Sequence, residues 1–146
     1  MSETRHLAAE YRKATGATLP VSGEIARFDA MRLLGLTAPE TASAGVDAVD
    51  PQGVRYQIKS RTMFESGKGK QRIGQINLEG AWDRVLLVLL NEAYETSAIH
   101  EVDREPLLEA MSQVRQNKRG PLSVARFLGL ARQVWPAESS DERKSA

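Results

Sequence analysis

The chain has 146 residues, a length that suits one domain with a hydrophobic core, and its apolar and charged fractions are ordinary for a globular protein. It contains no cysteine, which excludes disulfides, thiolate nucleophiles and thiolate metal sites. The net charge is only +1, so any binding to nucleic acid must depend on local charge. The first residues lack the apolar core of a signal peptide, and no run reaches the roughly 18 apolar residues of a membrane span. A cytoplasmic protein with no membrane partner is therefore expected.

Two helices are predicted ahead of the first strands. Apolar residues at helical spacing predict an amphipathic helix over Ser2–Thr15. A second helix is predicted from Gly23 to about Leu34, because Ser22 is a good N-cap and Gly35 can end the helix. Its expected buried stripe consists of Ile25, Phe28 and Leu33 or Leu34. The segment 37–44 is expected to be a loop.

A β-hairpin is predicted over residues 45–61, which read GVDAVDPQGVRYQIKSR. The tetrapeptide Asp50-Pro51-Gln52-Gly53 suits a tight turn, because proline presets φ and glycine accepts a positive φ at the end of the turn. If the last three of these residues form the loop, the register follows by counting. The expected pairs are Asp50 with Val54, Val49 with Arg55, Ala48 with Tyr56, and Asp47 with Gln57.

This register gathers polar side chains on one face of the hairpin. Side chains alternate between the two faces of a strand, so Asp47, Gln57 and Lys59 are expected to converge on one patch. The opposite face is expected to carry Val46, Ala48, Tyr56 and Ile58. A solvated hairpin face without chemistry is the alternative interpretation, because these polar residues are common on exposed strands.

The segment 62–74, TMFESGKGKQRIG, shows no lasting periodicity and is expected to be a loop. With the end of the preceding strand it carries Arg61, Lys68, Lys70 and Arg72 against the single acid Glu65. Such a cluster can bind phosphates through its charge and through exposed backbone N–H groups. A solvated loop with no ligand is the alternative.

The second half of the chain predicts two strands followed by two helices. The run Arg84–Asn91 is almost continuously apolar, which is typical of a strand buried on both faces at the centre of a sheet. The segment Thr96–Val102 returns as a second strand. The helices are expected from a cap at Asp103 to about Arg115, and from a cap at Ser123 through Trp135, with Pro136 ending the second.

Together these elements predict a small α/β or α+β domain over residues 1–136, with a mixed central sheet flanked by helices. The polar and charged residues 137–146 are expected to form a disordered tail. Neither His6 nor His100 has a second ligand at the spacing of a zinc site. Trp82 and Trp135 are expected to serve packing rather than base stacking.

Asp47, nine further residues and then Gln57-Ile58-Lys59 resemble the catalytic hairpin of the PD-(D/E)xK nuclease superfamily. The glutamine variant is similar to the D…QxK form of Mrr-type restriction endonucleases. Upstream, Gly23-Glu24 opens a helix where that superfamily often has a further carboxylate, although the helix dipole alone also favours an acid there. The chain is also similar to a family of small bacterial domains of this fold, at the segments QIK, INL, VLLVLL and SVARF, and the likeness covers roughly residues 19–135.

The resemblance implies a restriction-endonuclease-like fold and a metal-dependent endonuclease that hydrolyses DNA. Mg²⁺ or Mn²⁺ would be held by Asp47, the backbone carbonyl of Ile58 and Glu24, and Lys59 would orient or polarise the attacking water. Gln57 departs from the commonest pattern, because it replaces a carboxylate by a neutral amide. This exchange favours weaker metal affinity and one metal ion per site.

The partners expected from this likeness are DNA and a second copy of the chain, because cutting both strands of a duplex normally needs two active sites. Two other functions stay open at this stage. One is a nucleic-acid-binding module with the same fold and no catalysis. The other is a protein-interaction module that serves a larger protein encoded nearby.

Overall fold

The computed structural model describes residues 5–7, 9–10, 22–63, 73, 76, 78–113 and 122–136. The predictions for the basic residues Lys68, Lys70 and Arg72, for most of the first helix and for the tail 137–146 lie outside these residues. Residues 5–7 and 9–10 are helical, as predicted for that part of the chain. Among the described residues, no helix has the length and apolar character needed to cross a membrane.

Three helices and five strands make up the rest of the described chain. In chain order they are α1 (Ser22–Leu34), β1 (Ala48–Val49), β2 (Arg55–Thr62), β3 (Arg84–Leu90), β4 (Thr96–Asp103), α2 (Arg104–Ser112), α3 (Val124–Leu130) and β5 (Arg132–Trp135). The strands form one sheet in the order β1-β2-β3-β4-β5. β2 and β3 pair in parallel, and the other neighbours are antiparallel. The predicted mixed sheet with flanking helices is confirmed at this level.

β3 is the buried centre of the sheet, as its apolar run predicts. Its residues 85–90 are all buried, and they alternate between two hydrophobic clusters. Val85, Leu87 and Leu89 pack on the face covered by α2 and α3, here called the α2–α3 face. Leu86, Val88 and Leu90 pack on the opposite face, covered by α1 and here called the α1 face. Burial on both sides explains why a strand of this composition takes the central position.

α1 begins and ends close to the predicted residues, and Gly35 follows it with a φ of 70°. The predicted buried stripe is wrong at Phe28, whose side chain is 43% exposed beside the guanidinium of Arg32. The buried positions are Ile25, Ala26, Asp29 and Ala30. Small alanine side chains allow the helix to approach the sheet closely, so the buried stripe is centred on them rather than on the aromatic ring.

The last predicted helix is too long. α3 ends at Leu130, and residues Arg132–Trp135 form β5 against β4 instead of a final helical turn. Without β5, the outer edge of β4 would leave its backbone N–H and C=O groups without partners, and pairing outweighs the helical pattern of the side chains. The N-cap at Ser123 is confirmed, because its hydroxyl accepts a hydrogen bond from Arg126 N at 3.1 Å.

Asp103 precedes α2 as predicted, but its side chain makes no capping hydrogen bond. Its carboxylate instead pairs with Arg84 at 3.0 Å and with Arg132 at 2.9 Å. These bonds join β3, β4 and β5, so the residue serves the sheet more than the helix.

Candidate functional site

The hairpin turn forms as the sequence predicts. Gly53 has a φ of 90°, and its N–H donates to the carbonyl of Asp50 at 2.9 Å. Asp50 N in turn donates to Val54 O at 3.0 Å. The pairs Val49 with Arg55 and Ala48 with Tyr56 then follow in the expected register. The local turn chemistry therefore determines which residues of β2 face β1.

Asp47 leaves this regular ladder. Its N–H donates to the carbonyl of Tyr56 at 2.7 Å, and its carboxylate Oδ2 accepts from the N–H of Ile58 at 2.8 Å. The side chain thus occupies the edge of β2, where a backbone carbonyl of β1 would bind in a longer ladder. The expectation that Val46 shares a face with Ala48 is wrong, because Val46 packs in the cluster of the α2–α3 face.

The hydrogen bond from Ile58 N–H to Asp47 also indicates the direction in which the Ile58 carbonyl points. In an antiparallel pair, the N–H and C=O of one residue point to the same side of its strand. Because the Ile58 N–H points to Asp47, its carbonyl also faces the edge where the Asp47 carboxylate lies. One carboxylate and one backbone carbonyl therefore lie along the same short stretch of sheet edge.

Lys59 is half-buried and close enough to Asp47 for the two charges to interact. Burial lowers the pKa of the Lys59 ammonium, the carboxylate of Asp47 opposes this by raising it, and the guanidinium of Arg61 lowers it further. Lowering the pKa of a lysine makes its neutral form more accessible. The predicted neighbourhood of an acid and an amine is thus found in the structure.

Gln57 is placed differently from the other predicted site residues. It is 4% exposed, on a strand position whose neighbours belong to the core. A Cβ built on Gly45, which has a φ of 78°, would lie 3.5 Å from the Gln57 amide nitrogen. It would also lie 3.0 Å from both the Cα of Gly80 and a ring carbon of Trp82. The Gln57 amide therefore lies beneath the turn that leads into Asp47, and not on an open patch.

Glu24 is exposed in the first turn of α1. The buried residues of that helix pack with Ala48 and Tyr56 on the α1 face. Within the described residues, Glu24 makes no hydrogen bond or ion pair with Asp47 or Lys59. Its participation in a metal site stays a prediction.

Arg61 is the one predicted phosphate-binding residue that lies within the described residues. It is half-buried at the end of β2, and its Nη1 donates to the carbonyl of Ser60 at 2.7 Å. Burial lowers the pKa of its guanidinium. Together with Lys59 it gives the end of β2 a local positive charge.

The donor set at this edge suits a hard cation rather than zinc. The described residues contain no group of three or more histidine, cysteine or acidic side chains that could hold a metal ion. Mg²⁺ needs less than that, because it commonly binds through one or two carboxylates and retains several waters. Asp47, the Ile58 carbonyl and the predicted ligand Glu24 fit that requirement in donor chemistry.

Comparison with known proteins adds no assignment: no family model matches the chain, and no curated protein is significantly similar to it.

Two glycines, Gly45 and Gly80, support the site although the sequence did not predict a role for either. Gly80 is buried, and a Cβ on it would overlap the carbonyl oxygen of Ala44 and lie 2.8 Å from the Cα of Gly45. The two backbones therefore touch directly next to Asp47. The glycines themselves were the sole signal in the sequence, and nothing in their spacing indicates that they meet.

Proposed function

We propose that this protein is a metal-dependent endonuclease that hydrolyses phosphodiester bonds in DNA, built on a restriction-endonuclease-like fold. One observation carries the proposal: the carboxylate of Asp47 is held by the backbone of Ile58 beside the half-buried ammonium of Lys59. Partial burial of a charged amine costs free energy, and a surface hairpin with a purely structural role would avoid this cost by leaving the amine in solvent. The order of residues in the motif supports the same proposal through its likeness to D…QxK nucleases.

In this proposal Asp47, the carbonyl of Ile58 and Glu24 hold one Mg²⁺ or Mn²⁺ ion. When bound, such an ion supplies Lewis acidity and lowers the pKa of a bound water. Lys59 hydrogen-bonds the water or the developing negative charge at phosphorus, and its lowered pKa suits a group that exchanges a proton. Arg61 at the end of the same strand supplies a charge for the neighbouring phosphate, as would Lys68, Lys70 and Arg72.

Gln57 has a supporting role in the proposed site. A buried carboxylate at this position would need a cation to compensate its charge, whereas a neutral amide needs only hydrogen bonds. The glutamine thus packs beneath the turn that precedes Asp47, where a glutamate would be costly. A site with this substitution holds its metal with fewer negative charges. We therefore expect the Mg²⁺ concentration for half-maximal activity to be on the order of millimolar rather than micromolar.

The test is nicking of supercoiled plasmid with Mg²⁺ or Mn²⁺ by the wild type, Asp47→Ala and Lys59→Ala. We expect nicking by the wild type and a loss of about 100-fold or more in both variants, because each removes a charge from the reacting centre. Asp83→Asn is the matched control, since Asp83 is an acid on the adjoining segment that pairs with the exposed Arg55. Equal rates in all four proteins would indicate a contaminating nuclease and contradict the proposal.

A second candidate function is a nucleic-acid-binding or protein-interaction module without catalysis. The amide at position 57 favours it, because glutamine in place of a carboxylate leaves Asp47 as the one acidic side chain of the D…QxK motif. A gel shift across a salt series separates the two forms of this candidate. Binding to DNA that weakens steeply with salt, without nicking, indicates the DNA-binding module. Absence of binding at low salt indicates a protein partner.

A further inference from the structure

Arg104, the first residue of α2, makes an unusual set of contacts with the segment 78–82, which leads into β3. Its guanidinium donates to three backbone carbonyls: Leu78 O at 2.7 Å, Gly80 O at 2.8 Å and Trp82 O at 2.7 Å. The guanidinium also lies over the ring of Trp82, 4.3 Å from its centroid. One side chain therefore holds three alternate carbonyls and an aromatic ring at once. The planar guanidinium spreads its donors over separate nitrogens and stacks on the ring, whereas a lysine ammonium concentrates its donors at one point, so lysine is not expected to keep the whole set.

The segment held by Arg104 supports the turn ahead of Asp47. Gly80 lies against Ala44 and Gly45 so closely that a Cβ on Gly80 would overlap the carbonyl of Ala44. Gly45 in turn has a φ of 78°, and the next residue, Val46, closes a turn through its N–H to Ser43 O at 3.1 Å. Asp47 follows directly. The direction in which the chain enters Asp47 therefore depends on a backbone contact of Gly80, and Arg104 binds the carbonyl of that same residue.

We propose that Arg104 is a positioning residue for the Asp47 carboxylate. It acts through Gly80 and Gly45 and keeps Oδ2 of Asp47 on the Ile58 amide, with the carboxylate beside the Ile58 carbonyl and Lys59. The consequence for metal binding rests on the proposed function, whereas the positioning itself does not require a metal.

The first measurement is amide hydrogen exchange by NMR on the full chain, for the wild type and for Arg104→Lys. Disruption of this set of three carbonyl contacts should loosen the turn and speed exchange of the Ile58 amide by about tenfold. The amide of Leu87, in the buried β3, should be unaffected. Arg55→Lys is the matched control, because Arg55 contacts the adjoining residue Asp83 and, among the residues that the structure describes, forms its ion pair there at the surface, so it should leave the Ile58 amide unchanged.

The second measurement is the Mg²⁺ concentration for half-maximal nicking in the same proteins. We expect it to rise about tenfold in Arg104→Lys, with a smaller change in the rate at saturating Mg²⁺, because positioning acts on metal affinity. Gly80→Ala should show the same pattern through the other end of the contact.

The results separate the two ideas. Unchanged exchange at Ile58 in Arg104→Lys overturns the positioning role, whatever the nicking assay gives. Equal acceleration at Ile58 and Leu87 also overturns it, because Arg104 would then support the whole fold. Faster exchange at Ile58 alone, in a protein that shows no metal-dependent nicking, upholds the positioning role and contradicts the proposed nuclease.

Discussion

Asp29 and Asp47 are both withdrawn from solvent, but their surroundings differ. Asp29 lies on the buried side of α1 with 1% exposure, and it is surrounded by donors. Arg5 binds both of its oxygens at 2.7 and 2.6 Å, and Thr96 donates to Oδ2 at 2.6 Å. Asp47 is only half-buried, and its neighbours are a backbone amide and a lysine whose pKa is lowered.

The difference indicates different tasks. A carboxylate whose two oxygens both accept hydrogen bonds in a buried site is stabilised there and is shielded from an external ligand. Asp29 and Arg5 together join parts of the chain that are far apart in the sequence, because Asp29 also binds Thr96 and Arg5 also donates to the carbonyl of Tyr94 at 2.6 Å. A half-buried carboxylate beside a half-buried amine is less well compensated, which is typical of groups retained for chemistry. We therefore expect stability to depend on Asp29 and the proposed nuclease activity on Asp47.

The largest effect is expected from Asp29→Ala, which should lower the free energy of unfolding by about 3–5 kcal/mol, because it leaves the partly buried guanidinium of Arg5 without its carboxylate partner. Urea unfolding followed by circular dichroism measures this change. Arg32→Ala is the control, since Arg32 is exposed and 3.6 Å from Asp29, and it should cost about 1 kcal/mol or less. A loss for Asp29→Ala no greater than the loss for this control would contradict the structural role.

Asp47→Asn should show the opposite pattern. The asparagine carbonyl can still accept the hydrogen bond from Ile58, so the free energy of unfolding should fall by about 1 kcal/mol or less. The nicking rate should fall by about 10²–10³-fold, because the carboxylate charge is gone. Both quantities are measured on one preparation. The contrast would be contradicted if Asp47→Asn lost several kcal/mol of unfolding free energy and its nicking rate fell only as far as the fraction of folded protein. Asp47 would then have a structural role like that of Asp29.

The smallest effect concerns the pKa of Lys59, which should lie below its ordinary value of 10.5. Asp47→Asn should lower this pKa further, because Asp47 raises it, and NMR titration of the Lys59 side-chain carbon measures both values. Since the unfolded chain binds more protons between the lowered pKa and 10.5, the free energy of unfolding should rise with pH through that window. Lys59→Met should flatten this rise. Titration of Lys59 at or above its ordinary value would remove the argument for its role.

Much of the candidate site could be predicted from local sequence, and some of it could not. The turn at Asp50–Gly53 and the pairs of Ala48 and Val49 follow from residues next to each other in the chain. Two other features depend on contacts with Gly80 and Trp82, more than 20 residues further on. These are the hydrogen bond from the Ile58 amide to the Asp47 carboxylate and the burial of Gln57. A pattern of alternating side chains assumes a continuing ladder, so it cannot show where the ladder ends.

The sequence by itself determined the elements that are set by neighbouring residues. These are the end of α1 at Gly35, the N-cap of α3 at Ser123, the turn of the hairpin, and the central position of β3, because turn chemistry, capping and apolar runs act over a few residues. Only the tertiary structure decided that Arg132–Trp135 pairs with β4, that Arg5 binds Asp29, and that Arg104 holds the segment beneath Asp47. Each of these depends on a backbone edge or a buried charge that must find a partner. That partner is selected by distance in the folded chain rather than by distance in the sequence.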